Sequence, residues 1–220
     1  MPKGGHRQSI FCLRLWLQSA RFSRYNLPGS SSIICPAMAY RKRVVDAELR
    51  RHLAALGAVL IEGPKTCGKT ETARQLAASE VRLDIDADAR QAAAVDPTLV
   101  LEGATPRLID EWQVRPAVWN HVRHAVDDRS VPGQFILTGS AVPPDDETRH
   151  TGAGRITRMP MRPMSLLETG HSDGTVSLAD LLAGGAVRAA ERDIDVRDLA
   201  RLIAVGGWPA IQHLDLEDAL

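Results

Sequence analysis

The segment from Gly57 to Ser79 constrains this chain more than any other. Gly57-Ala58-Val59-Leu60-Ile61-Glu62 is a short apolar run, as expected of a parallel strand buried on both faces. Gly63-Pro64-Lys65-Thr66-Cys67-Gly68-Lys69-Thr70 follows it and matches G-x-x-x-x-G-K-[ST] at every fixed position. Glu71–Ser79, rich in Ala, Leu and Gln, reads as a helix. A strand running through a glycine loop into a helix is the setting in which this pattern builds a phosphate site. Gly63 and Gly68 let the backbone wrap phosphate oxygens without a Cβ in the way. Successive backbone N–H groups of the loop, with the helix N-terminus, supply positive dipole ends. Lys69 places a point charge at the β- and γ-phosphates, and the Thr70 hydroxyl is suited to ligate Mg²⁺. The loop is therefore expected to hold ATP with Mg²⁺. Its bland alternative is a glycine-rich turn that binds nothing. Cys67 reads as a small filler in preference to a redox switch.

Three later segments extend this expectation. About 40 residues beyond the loop, Arg107-Leu108-Ile109-Asp110-Glu111 is a strand whose apolar residues run into two acids. Asp110 at the strand end can hold the Mg²⁺ shell, and Glu111 can orient and polarise an attacking water. A helical stretch, Ala117–Val126, leads to a third strand, Gln134–Ser140. Its polar end would bring Thr138 and Ser140 level with the other strand ends, where sheets of this class bind ligands. A hydroxyl there can sense the γ-phosphate, or Ser140 can simply cap the next element. Arg155 stands immediately before a fourth run, Ile156–Met161. A guanidinium there could reach a γ-phosphate in its own subunit or in a neighbour's, and arginines supplied in this way are worth on the order of 10³–10⁵ in rate. Asp84 and Asp86 read as loop or cap residues, His121 and His124 as solvated or packing residues, and Met159, Met161 and Met164 as packing.

Composition adds exclusions. The chain has 220 residues, 44% of them hydrophobic and 25% charged, as in an ordinary soluble globular protein. Its formal net charge of +0 gives no electrostatic ground for nucleic acid or an anionic membrane. No apolar run approaches the roughly 18–20 residues that span a bilayer. Three irregularly spaced cysteines, Cys12, Cys35 and Cys67, suggest neither a disulfide framework nor a metal site, so the expected compartment is the cytoplasm. No acidic residue precedes Asp46. Residues 1–37 are accordingly expected to be a disordered or mis-assigned extension, with Met38 as the working start. An organelle transit peptide is the other reading. From there Val44, Val45, Leu49, Leu53 and Leu56 follow a helical period.

The strings IEGPKTCGKT, LIDEWQ, FILTGS and AGRITRMPMRPMSLLE, in that order, resemble the bacterial and archaeal AAA-type ATPases that carry a C-terminal domain of unknown function. The resemblance covers roughly Tyr40 to Pro209. It implies an α/β P-loop NTPase fold, a parallel sheet in the order 5-1-4-3-2 flanked by helices. It also implies that Lys69 and Thr70 are the Walker A pair and Asp110 and Glu111 the Walker B pair. The sensor would fall at Thr138–Ser140 and an arginine finger at Arg155, acting within a homo-oligomer. Family members continue well beyond a Gly-Gly-aromatic-Pro segment, here Gly206–Pro209. The expected layout is therefore an ATP-binding domain over residues 38–170 and, over 171–220, the helical start of a truncated module.

Three activities compete on these residues. An ATPase would hydrolyse ATP to ADP and phosphate and couple this to a conformational change. A nucleotide-dependent binding module would hold ATP with negligible turnover. A small-molecule phosphotransferase would need an acceptor pocket and no acidic pair poised on water, so Asp110-Glu111 argues against it.

Overall fold

The computed structural model describes residues 40–140, 152–186, 194–212 and 217. The stretch expected to be a disordered or mis-assigned extension, residues 1–37, lies outside them. Helix α1 (Asp46–Ala55) leads into β1 (Ala58–Glu62), the glycine loop and α2 (Lys69–Arg74). Then follow β2 (Ser79–Arg82), α3 (Ala87–Val95), a 3-10 turn (Pro97–Leu101), β3 (Arg107–Asp110) and a second 3-10 turn (Trp112–Val114). Helix α4 (Val118–Arg129), β4 (Phe135–Gly139) and β5 (Ile156–Pro160) complete the sheet, followed by α5 (Leu166–Thr169), α6 (Leu178–Leu182) and α7 (Val196–Val205).

All five strands are parallel, in the order β2-β3-β4-β1-β5. This is the order that the family resemblance implied, read from the other edge. The continuous apolar runs have a direct cause: alternate residues of each strand feed two separate cores. Ala58, Leu60, Phe135, Leu137 and Ile109 face Trp112, Trp119 and Val122 on one side. Val59, Ile61, Ile136, Leu108 and Met159 face Leu49, Leu53 and Ala73 on the other. Trp112 and Trp119 pack with ring centroids 5.1 Å apart, anchoring the turn after β3 to α4.

One expected element is displaced. The helix read over Glu71–Ser79 is Lys69–Arg74, and Ser79 already belongs to β2. Helix propensity from Gln75 to Ala78 yields to the sheet: the Ala78 N–H donates to Pro106 O at 2.8 Å, and Ser79 pairs with Arg107. Elsewhere the strands differ from the sequence reading by one or two residues at their ends.

Candidate functional site

Because the strands are parallel, their last residues share one edge: Glu62, Arg82, Asp110, Gly139 and Pro160. The glycine loop springs from the end of β1 at this edge. Gly63 is required by a close approach, since a Cβ there would lie 2.1 Å from Met161 O. Its glycine thus serves the contact with the segment after β5. Gly68 has φ +102° and caps α2 in the left-handed region, which a glycine adopts at little cost. Thr66 is also left-handed, at φ 61°, so the backbone curls twice within three residues. Pro64, Lys65 and Thr66 form the exposed tip, whereas Cys67 is fully buried with its Sγ 3.8 Å from Met161 O. That burial fits the filler role.

Lys69 is 5% exposed, and its ammonium donates to Gly63 O at 3.0 Å and Pro64 O at 2.8 Å. The charge is thereby held inside the curl of the loop. Thr70 Oγ1 donates to Asp110 Oδ1 at 2.8 Å, and Thr138 Oγ1 donates to the same oxygen. Loop, β3 and β4 therefore meet at one buried carboxylate. Thr138 and Asp110 are direct register partners, and the Glu111 N–H donates back to Thr138 Oγ1 at 3.4 Å. Ser140 lies just beyond β4 and is half-buried. Of the two hydroxyls expected there, Thr138 is the one that reaches Asp110.

Glu111 takes a left-handed conformation, φ 55° and ψ 48°, which costs a residue with a Cβ about 1–3 kcal/mol. The turn it creates sends Trp112 into the core and leaves Glu111 at the rim. The Gln113 side-chain amide donates to Glu111 Oε2. Sequence reading did not single out Gln113. It also missed Arg82, the register partner of Asp110 on β2, whose Nε lies 3.5 Å from Asp110 Oδ2. The two Asp110 oxygens therefore face different chemistry, hydroxyls on one and a guanidinium on the other.

Asp110 and Thr70 present hard oxygen donors, the type that Mg²⁺ takes, and Mg²⁺ commonly uses only one or two protein ligands alongside phosphate oxygens. The residues present fit such an ion with a triphosphate.

Arg155 lies elsewhere. Its carbonyl accepts from Ala58 N–H at 3.1 Å, so it sits beside the start of β1, at the sheet edge opposite the loop. A five-residue strand separates the two edges by about 15 Å, beyond the reach of an arginine side chain. Arg155 Nε instead donates to Asp127 Oδ1 at 2.6 Å. This contact lowers the Asp127 pKa and raises that of Arg155. Of the two settings expected for Arg155, contact with its own subunit's loop does not occur.

A family model described as an AAA domain matches residues 56–170, just over half of the chain. Uncharacterized proteins of Mycobacterium tuberculosis and Mycobacterium bovis are each 35% identical over 130 residues, covering 54% of this chain and 29% of their own length. The matched stretch thus spans less than a third of these curated relatives. The structure of C. elegans PCH-2 is similar over 70% of this chain and 48% of its own, with 14% identity and a TM-score of 0.29. No helix among the described residues is long and apolar enough to cross a membrane. On the extent of the family match, the chain belongs to the AAA domain family.

Proposed function

We propose that this chain binds ATP with Mg²⁺ in the Gly63–Thr70 loop and hydrolyses it to ADP and phosphate, coupling turnover to a conformational change. The observation that carries this reading is the convergence of Thr70 and Thr138 on Asp110, with Glu111 as the next residue. A phosphate loop alone needs no acid behind it. An acid tied to the loop at one strand end and to a sensor hydroxyl at the next suits a site that distinguishes triphosphate from diphosphate.

In this reading the loop N–H groups and Lys69 cradle the phosphates, with Pro64, Lys65, Thr66 and Cys67 shaping the curl. Thr70 and Asp110 would hold Mg²⁺, which would supply charge neutralisation to the bound phosphates. Glu111 accepts a hydrogen bond from the attacking water and orients it towards the γ-phosphorus. Thr138, with Ser140 beside it, contacts the γ-phosphate or that water. Arg155 acts on the site of a neighbouring copy, making the working form a homo-oligomer. Residues 38–170 would form the ATP-binding unit and 171–220 a separate helical region, operating in the cytoplasm.

The test is phosphate release by wild type and by Glu111→Gln. A loss of two orders of magnitude or more is expected, within the range for a catalytic base of roughly 10²–10⁴. Equal release from both proteins overturns the assignment of Glu111. One observation favours a second reading, a nucleotide-dependent binding module with negligible turnover: Gln113 already occupies one Glu111 oxygen. Under that reading Gln113→Ala raises phosphate release; under the first it lowers it, because Glu111 loses its orientation.

A further inference from the structure

The guanidinium of Arg43 is buried directly behind the phosphate loop. It is 7% exposed, and each of its three nitrogens donates a hydrogen bond. Nη1 reaches Cys67 O at 2.7 Å, Nη2 reaches Arg162 O at 2.7 Å, and Nε reaches Glu168 Oε1 at 2.8 Å. Glu168 accepts in addition from the Val44 N–H at 2.8 Å and the Ser165 N–H at 2.6 Å. One ion pair thus joins the segment before α1, the middle of the loop and the segment after β5. None of these three is adjacent to another in sequence.

We infer that Arg43 is a positioning residue for the loop, fixing the plane of the Cys67–Gly68 peptide so that the Gly68 N–H faces the phosphates. In a trans peptide the C=O and N–H point in opposite directions. A Cys67 carbonyl held at the back of the loop therefore turns the following N–H to the front. The clamp is needed because of what Gly68 is. Glycine populates both signs of φ about equally, so its own torsions do little to resist a peptide flip. Arg43 Nη1 lies 3.1 Å from where a Cβ on Gly68 would stand, closing the space left by the missing side chain. Hydrogen bonding to the carbonyl also polarises the peptide and strengthens its N–H as a donor. The same guanidinium grips Arg162 O and Glu168, so displacement of residues 162–168 would release the loop amide.

This inference rests on the proposed nucleotide site, and the experiment separates the two. Affinity for a fluorescent ADP analogue and melting temperature are measured for the whole chain, for Arg43→Lys and for Arg43→Met/Glu168→Met. Replacing both members of a buried ion pair with apolar residues commonly preserves stability. Here the Val44 and Ser165 N–H groups also lose an acceptor and the Cys67 and Arg162 carbonyls a donor. The double variant should therefore melt somewhat below wild type and, assayed well below its own melting transition, bind the analogue about tenfold or more weakly. Arg43→Lys keeps the charge but cannot serve three acceptors, and it should also lose affinity beyond any loss of stability. Affinity that follows melting temperature in both variants overturns the inference and leaves Arg43 a purely structural ion pair. Should the double variant not fold, Arg43→Lys decides alone. A wild-type chain that binds no nucleotide overturns the site itself, and the inference with it.

Discussion

Thr138 and Asp110 sit opposite each other in register on β4 and β3, and the threonine hydroxyl donates to the carboxylate between the two strand ends. Asp110 is 2% exposed and Thr138 is fully buried, so neither can replace the other with water without rearrangement. Replacing Thr138 with valine keeps the shape and removes the hydroxyl. Asp110 then loses a donor and the Glu111 N–H loses an acceptor. The expected cost is about 1–3 kcal/mol of stability, read by thermal or denaturant unfolding. Phosphate release should fall further than nucleotide affinity, because the hydroxyl is proposed to act on the γ-phosphate or the water. An equal fall in both would reduce Thr138 to a packing role.

Lys69 makes a second prediction. Its ammonium is enclosed by the Gly63 and Pro64 carbonyls, so the charge is positioned by the loop itself. Lys69→Ala should remove measurable ATP binding in a calorimetric titration. The fold should remain, because the sheet and both cores are independent of this side chain. Micromolar affinity retained by that variant would sink the loop as the nucleotide site.

For Arg155 the expected result depends on where the side chain is. It lies at the sheet edge opposite the loop and pairs with Asp127 at 2.6 Å. Arg155→Ala should leave nucleotide affinity unchanged. It should lower turnover, and wild-type turnover per chain should rise with protein concentration as copies associate. Turnover that is flat with concentration and untouched by the substitution would remove Arg155 from the site.

These three residues also mark what could be read from the sequence. The strand, loop and acid pair were legible because each is a contiguous pattern whose function depends on local backbone. That Thr138 stands level with the other strand ends followed from a parallel sheet; its pairing with Asp110 needed the adjacency of β3 and β4, which the residues alone did not supply. For Arg155 the sequence left two settings open, its own subunit or a neighbour's; its place beside the start of β1, at the edge opposite the loop, came only with the strand pairing. The short α2 was not legible, since pairing of Ser79 with Arg107 overrides the helix propensity of Gln75–Ala78. Arg82 and Gln113 gave no signal of their own; only their strand partner or turn gives them meaning. Arg43 and Glu168 stand 125 positions apart, and nothing in hydrophobic periodicity connects them. A buried arginine is visible only once the three segments around it have been assembled.

Glu168 supplies a prediction about pH. Burial raises its pKa, but the Ser165 and Val44 N–H groups, Arg43 and the Ser165 hydroxyl together outweigh this and hold it below the usual glutamate range. A carboxylate with a depressed folded-state pKa adds stability that is complete above its unfolded value, about 4.3. That stability is lost as pH falls through the folded-state value, because the unfolded chain takes up the proton first. Melting temperature of the wild type should therefore drop on acidification below that range, with one group contributing at most about 1.4 kcal/mol per pH unit. Glu168→Gln should be less stable than wild type at pH 7, by about 3–5 kcal/mol if the Arg43 charge is left uncompensated. Its melting temperature should nevertheless decline less steeply in acid, since the titrating group is gone. Parallel acid slopes for the two proteins would show that Glu168 ionises in the folded chain as it does in the unfolded one, and that its hydrogen bonds place no energetic preference on the charged form.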